Sequence, residues 1–357
     1  MQARSWSKQS LLAAAIGACL AAPGLARAAD APPSLPAYNA DLSQTSVSGL
    51  SSGAFMAAQF SVAYSSLVVG AGVVAGGPFY CAGQFGNVFY DVNLMTAMTV
   101  CMNPAASFAS PPNARTLLTS AKAFAAAGDI DPLANLKRQR IYLFSGARDT
   151  TVTTVVVDQV KRFYGLAGVP GAQIAYVNNL PAGHALVTDK QADQACALTA
   201  TPYINDCHVP QAQNILEHIY GPLNPKSSTL GGQIVAFDQA SFLGANASMG
   251  DTAYAYVPGA CASQSCRVHV AFHGCEQNEK AVGDAFYNGA GYNEVADANN
   301  IIVLYPQAET SLLNPKGCWD FWGYTNPLTP DFYKKTATQM ASVKAMLDRL
   351  ASARAAR

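Results

Sequence analysis

The chain has 357 residues, half of them hydrophobic and only 12% charged, with 22 basic side chains balancing 22 acidic ones. A formal charge of +0 with no basic run lacks the electrostatic footprint that nucleic-acid binding needs, so that class is excluded. With so few charges the surface must lean on Ser, Thr, Asn, Gln and Gly, which suits an exported protein.

The amino terminus carries the export signal itself. Arg4 and Lys8 precede an apolar run from Leu11 to Leu25, and Ala26-Arg27-Ala28 is a small-x-small cleavage site, so residues 1–28 are expected to be a signal peptide. The mature chain, 29–357, is then a single catalytic domain, secreted or periplasmic. Ile16-Gly17-Ala18-Cys19 offers a second route, in which Cys19 is lipidated and anchors the protein. No later stretch approaches the roughly 20 apolar residues of a membrane span.

After a Pro-rich lead-in, Leu42 to Leu50 alternates like a strand and runs into Gly49-Leu50-Ser51-Ser52-Gly53. Phe55, Met56, Gln59, Phe60 and Tyr64 then recur at helical spacing. Strand, G-x-S-x-G, helix is the context of a nucleophile elbow, the sharp turn that exposes a reactive serine. Next come a strand at Leu67 to Val74, a helix at Ala114 to Ala127 and a strand at Arg140 to Phe144 that leads into Ser145-Gly146-Ala147-Arg148-Asp149. A helix near Thr153 to Tyr164, a strand at Gln173 to Val177, the segment Pro181-Ala182-Gly183-His184 and a helix near Asn214 to Tyr220 close this half. The second half opens with strands near Gln233 to Asp238 and Thr252 to Val257. A third, Arg267 to Phe272, ends in His273-Gly274-Cys275. A helix at Val282 to Ala298, a strand at Ile301 to Tyr305, a long loop bearing Trp319 and Trp322, and a helix from Lys334 to Leu350 complete the chain.

Alternating strands and helices predict an α/β fold, a mostly parallel sheet with helices on both faces. In an ordinary α/β-hydrolase the strand that supplies the oxyanion hole precedes the serine strand. Here the His-Gly strand follows it. Moving the block from Gly232 onward in front of Asp41 restores the usual order, which makes the chain a circularly permuted α/β-hydrolase with Cys196 to Leu230 joining the old ends. Permutation is tolerated because packing does not depend on where surface termini fall.

A serine hydroxyl needs a histidine within reach and a carboxylate that fixes the imidazole tautomer. Ser51, Asp149 and His184 follow the chain order Ser, acid, His, each at a strand end. Asp149 also stands where a helix cap would stand, and Asp158 is a rival acid inside the following helix. Of the other histidines, His218 lies in a helix, His269 inside a strand and His208 in a Cys-rich loop, while His273 is placed to hold its own loop. The oxyanion is expected to be met by the backbone amides of Ser52 and Cys275. The loop from Asn314 to Tyr324 packs Trp319, Phe321 and Trp322 on the catalytic side, where aromatics bind apolar chains.

Of nine cysteines, setting aside Cys19 leaves an even eight, which in an exported chain suggests disulfides. Neighbouring pairs would be Cys81 with Cys101, Cys196 with Cys207 and Cys261 with Cys266, leaving Cys275 for Cys318, although eight cysteines allow 105 connectivities. No CxxC is present and only His208 lies beside a cysteine, so no metal and no other cofactor is expected.

The segments Gly49 to Met56, Ser145 to Asp149, Gly183-His184, His273-Gly274-Cys275 and Cys318-Trp319 together resemble the extracellular poly(3-hydroxybutyrate) depolymerases of the single-domain, circularly permuted kind. The resemblance covers nearly the whole mature chain. It implies Ser51, Asp149 and His184 as triad, Ser52 and Cys275 as oxyanion donors, and Asn314 with Trp319 as polymer contacts. Many bacterial depolymerases add a linker and a separate binding domain that this sequence does not show. A monomer acting on a polyester or its oligomers is expected; a feruloyl or acetyl esterase, or a silent polymer-binding protein, are the alternatives.

Overall fold

Residues 32–86 and 89–354 are described by a computed structural model; the expected signal peptide and Cys19 lie outside the described residues. In chain order the strands are β1 (Asp41–Leu50), β2 (Val68–Val74), β3 (Arg140–Phe144), β4 (Ile174–Val177), β5 (Leu186–Thr188), β6 (Gln194–Ala195), β7 (Ile204–Asp206), β8 (Gln233–Asp238), β9 (Thr252–Val257), β10 (Arg267–Phe272) and β11 (Ile301–Tyr305). The helices are α1 (Ser52–Ala63), α2 (Tyr90–Thr99), α3 (Ala114–Ala127), α4 (Thr154–Leu166), α5 (Gln211–Tyr220), α6 (Glu279–Val282), α7 (Ala285–Gly289), α8 (Tyr292–Asn299) and α9 (Thr338–Ala351).

Eight strands pair in the order β4-β3-β2-β1-β10-β11-β9-β8. Every neighbour is parallel except β9, which is antiparallel to both β11 and β8. Numbered along the permuted chain from β8, the His-Gly strand β10 is the third strand and the serine strand β1 the fifth, so the permuted hydrolase order holds. The strands are apolar on both faces because both faces are covered. Phe60, Leu117, Val156 and Met340 from α1, α3, α4 and α9 pack one side, and Ile215, Leu216 and Val295 from α5 and α8 pack the other. All of α1 is buried, as its nearly uniform apolar sequence requires.

Differences from the expected elements have local causes. The single helix expected over Val282 to Ala298 is broken into α6, α7 and α8 at Gly283 and Gly291, both at positive φ. Helix α9 starts at Thr338 rather than Lys334. The joining segment 196–230 holds the helix expected near Asn214 to Tyr220 as α5, and also the unexpected β7, which lies between β5 and β6 in a separate three-stranded parallel sheet. Helix α2 escapes the sequence pattern because it exposes Val92, Met95 and Met98, which blurs its periodicity.

Four disulfides join Cys81 to Cys101, Cys196 to Cys207, Cys261 to Cys266 and Cys275 to Cys318, the neighbouring-pair arrangement. Among the described residues no helix is long and apolar enough to cross a membrane.

A buried polar chain links β1 to β10. The Ser46 hydroxyl lies 2.6 Å from His269 Nδ1 and the Ser48 hydroxyl 2.7 Å from Nε2, with Tyr220 and Tyr292 hydroxyls closing the two ends. Burial holds His269 down to about 3 and His273 down to about 4, against an ordinary 6.5, so both rings are neutral in the fold. The unfolded chain takes up these protons below pH 6.5 while the folded chain does not. Stability from both rings is therefore whole above pH 6.5 and falls with pH, by up to about 1.4 kcal/mol per histidine per pH unit, until the folded pKa values are reached. The melting temperature should drop steeply between pH 6.5 and 4, and His269→Gln should flatten that slope; a flat wild-type profile would contradict the neutral assignment.

Candidate active site

The parallel register that sets Gly49 beside Phe272 brings the carboxyl ends of β1 and β10 together. Between β1 and α1, Ser51 takes φ 57° and ψ −121°, a conformation a serine adopts only when its surroundings impose it. Its N–H is held by the Val74 carbonyl at 3.0 Å, and its carbonyl accepts from the amides of Ala54 and Phe55. Gly53 makes the turn possible: a Cβ there would come within 2.3 Å of the Phe272 and His273 carbonyl oxygens. The elbow therefore presses directly on the strand that delivers the second loop.

Asp149 and His184, 35 residues apart, meet because the loop after β3 is stitched to the loop after β4. Ser145, Ala147 and Arg148 donate their amides to the carbonyls of Val177, Leu180 and Ala182. The Asp149 carboxylate accepts from His184 Nδ1 at 2.7 Å through one oxygen and from the amides of Thr151 and Val152 through the other. Both side chains are almost wholly buried. Helix α4 begins later, with Thr153 at its cap position, so the cap expected of Asp149 is instead a tight turn closed by its own carboxylate. The rival Asp158 accepts from Tyr176 at the surface. With Nδ1 donating to Asp149, His184 Nε2 is the free basic nitrogen.

The His273-Gly274-Cys275 loop, expected to meet the oxyanion, is pinned by His273. The Ala308 amide donates to His273 Nε2 at 3.0 Å, so Nδ1 carries the proton and donates to the Gly274 carbonyl at 2.6 Å. In a planar trans peptide, fixing the Gly274 oxygen toward His273 aims the Cys275 N–H the opposite way. The Gly274 amide is held by Gln277, and the Cys275–Cys318 disulfide ties the loop to the aromatic loop. Among the described residues neither the Ser52 nor the Cys275 amide meets a protein acceptor, which leaves two N–H groups available to an incoming oxygen.

Ser51, Ser52, His184, Gly274 and Cys275 line one cavity of about 650 Å³. Its other walls are mainly apolar: Phe55, Leu94, Ala97, Met98 and Met102 on one part, Leu312, Leu313, Phe321 and Trp322 on another. His208 and His218 lie elsewhere, His208 against Asp206 at the surface and His218 against the Gln173 carbonyl. No group of three His, Cys, Asp or Glu side chains placed to hold a metal occurs among the described residues.

No family model matches the chain. A poly(3-hydroxybutyrate) depolymerase of Delftia acidovorans is 42% identical over 346 residues, covering 95% of this chain and 66% of its own length. A polyhydroxybutyrate depolymerase of Talaromyces funiculosus is 40% identical over 307 residues, covering 81% of this chain and 85% of its own. The chain belongs to the polyhydroxybutyrate depolymerase family. It thus spans about two thirds of the length of its Delftia relative. Solved structures agree: a PHB depolymerase from Penicillium funiculosum superposes with TM-score 0.78 at 36% identity, covering 89% of this chain and 98% of its own. A serine-to-alanine variant of a PHB depolymerase in complex with an R3HB trimer superposes with TM-score 0.79 at 35% identity and the same coverage.

Of the two polymer contacts implied by resemblance to the depolymerases, Asn314 lies on the cavity and Trp319 does not. Asn314 reaches the cavity wall, yet its amide is committed to the loop: Oδ1 accepts from the Cys318 amide at 2.9 Å, and Nδ2 donates to the Cys318 and Glu309 carbonyls. Trp319 is fully buried, packed between Phe272 and His273, and does not line the cavity. Its neighbours Phe321 and Trp322 form the wall in its place. Asp320, buried and unsuspected from sequence, accepts from the amides of Trp322, Gly323, Tyr324 and Thr325 and so folds that wall. Trp319→Ala should accordingly cost about 3–5 kcal/mol of stability and lower polymer and p-nitrophenyl butyrate hydrolysis together; selective loss of polymer activity at an unchanged melting temperature would restore Trp319 as a direct contact.

Proposed function

We propose that this protein is a secreted or periplasmic serine hydrolase that cleaves the ester bonds of poly(3-hydroxybutyrate) and its oligomers. The observation that carries the reading is that Ser51, the Asp149-paired His184, Ser52 and Cys275 line one mainly apolar cleft, with no protein acceptor for the Ser52 and Cys275 amides among the described residues. Family membership and the R3HB trimer bound by a structural relative support the substrate class. Four disulfides favour an oxidising compartment.

In this mechanism His184 Nε2 takes the Ser51 proton as the hydroxyl oxygen attacks the ester carbonyl. The carbonyl oxygen, now anionic, is met by the Ser52 and Cys275 N–H groups. His184 then protonates the leaving alkoxide, and water repeats the sequence on the acyl-enzyme with His184 as base. Asp149 keeps the ring in the tautomer that leaves Nε2 free and stabilises the imidazolium.

Solid polymer is within reach of this reading. Phe89, Val92, Met95 and Met98 on and before α2, with Leu312 and Leu328, are exposed apolar side chains, and Met98 and Leu312 belong to the cleft wall itself. The Tyr90 amide bonds the Pro327 carbonyl, which brings Leu328 to the start of α2. An apolar rim of this kind suits adsorption to a polyester surface. The reading is tested by substrate profiling: hydrolysis of 3-hydroxybutyrate oligomers well above feruloyl or acetyl esters of plant polysaccharide is expected, and the reverse order would replace the polyesterase with a carbohydrate esterase.

A further inference from the structure

The acidic and basic side chains of the cleft lining, Glu276 and Lys316, lie together where the segment after His184 meets the oxyanion loop. Thr199 accepts the His184 amide at 2.9 Å. Further along that segment Tyr203 donates to the Glu276 carboxylate at 3.4 Å, and Gln277 donates to the Pro202 carbonyl at 2.8 Å. Lys316 completes the group with its ammonium 3.1 Å from Glu276 Oε2, and the Glu276 amide donates to the Lys316 carbonyl at 2.7 Å. Glu276 follows directly on Cys275 at φ 55°, a region that favours glycine, so the fold imposes a charged residue's position at the lip of the oxyanion hole.

An internal polyester chain carries no charge, and an ion pair lining its cleft has nothing there to recognise. A chain end does. We propose that Lys316 is a specificity-determining residue that receives the free carboxylate of the short product on the leaving-group side, with Glu276 holding the ammonium until that carboxylate arrives. The proposal rests on the polyester-hydrolase reading above.

The direction follows from the chemistry. The scissile carbonyl oxygen must face the Ser52 and Cys275 amides, and the alkoxy oxygen must leave beside His184 Nε2 to be protonated there. The part of the substrate beyond that oxygen therefore runs along the His184 loop toward Tyr203, Glu276 and Lys316. In a 3-hydroxybutyrate unit only a methine and a methylene separate the alkoxy oxygen from the next carboxyl carbon. When that unit is the last, the carbon is a carboxylate. Side chains of both Lys316 and Glu276 are largely exposed, 63% and 44%, and an exposed pair of this kind contributes little and opens readily. Glu276 repels the same carboxylate that Lys316 attracts, so the two residues should act with opposite sign.

The test compares kcat/KM for the 3-hydroxybutyrate trimer as free acid and as methyl ester, reading release of 3-hydroxybutyrate or its methyl ester, in wild type, Lys316→Gln and Glu276→Gln. The ratio of free acid to ester should fall by about two- to fivefold in Lys316→Gln and rise by a similar factor in Glu276→Gln, the scale of an exposed charge pair. Both shifts should shrink toward unity near about 1 M salt. Ratios that do not move in either variant, or that move the same way in both, would overturn the carboxylate role while leaving the polyesterase standing. Failure of the wild type to cleave either trimer would overturn both.

Discussion

Replacing Ser51 by alanine is expected to abolish ester hydrolysis, with a loss on the order of 10⁶ in turnover, and His184→Ala should lose as much because nucleophile and base act as a unit. The fold should survive both changes. Ser51 is partly exposed at the cleft floor, and the hydrogen bonds that shape its turn run through the backbone. His184 keeps its place through its amide bond to Thr199 and its neighbours' bonds between loops. The measurement is turnover of p-nitrophenyl butyrate alongside the melting temperature. Loss of activity with an unchanged midpoint is the expected pattern, and normal turnover in either variant would move the chemistry to another site.

Asp149→Asn is the second large effect, on the order of 10⁴ in turnover, as for the equivalent change in a serine protease triad. The carboxylate accepts three hydrogen bonds, one from His184 Nδ1 and two from the amides of Thr151 and Val152. An asparagine amide turned toward His184 would donate where the carboxylate accepted, and the ring would then carry its proton on Nε2, where it cannot act as base. Oδ1 can still serve the two backbone amides, so the loop should hold its shape and the loss should fall on kcat. An effect below about tenfold would mean that the tautomer is fixed by something other than Asp149.

The sequence was most legible where one local rule decides the outcome. β3, β8, β9, β10 and β11 begin and end at the residues expected, because short runs such as Ile301–Tyr305, rich in β-branched and aromatic residues, are too short for a core helix. The elbow was legible for the same reason: strand, Gly, Ser, Gly and helix are contiguous. Contacts across the chain were harder. Trp319 looks like a loop aromatic free to meet polymer, and its burial depends on Phe272 and His273 from a distant strand end. Asn314 has the chemistry of a polar contact, and only the folded loop shows its amide already occupied. The helix expected over Val282 to Ala298 fails at Gly283 and Gly291, which take the positive φ that glycine alone adopts freely, while the apolar periodicity runs on across both. Glu276 and Lys316 carry no sequence signal at all, being joined by a loop contact between residues on either side of the Cys275–Cys318 disulfide.

Ser51 is expected to open the ester bonds of poly(3-hydroxybutyrate) through an acyl-enzyme. The most direct measurement is the release of soluble 3-hydroxybutyrate oligomers from amorphous polymer by the purified mature protein, followed by chromatography, with Ser51→Ala at the same concentration in parallel. Oligomers released by the wild type and absent with the variant are the expected result. Equal release by both proteins, or none from a wild type that still hydrolyses p-nitrophenyl butyrate, would contradict it.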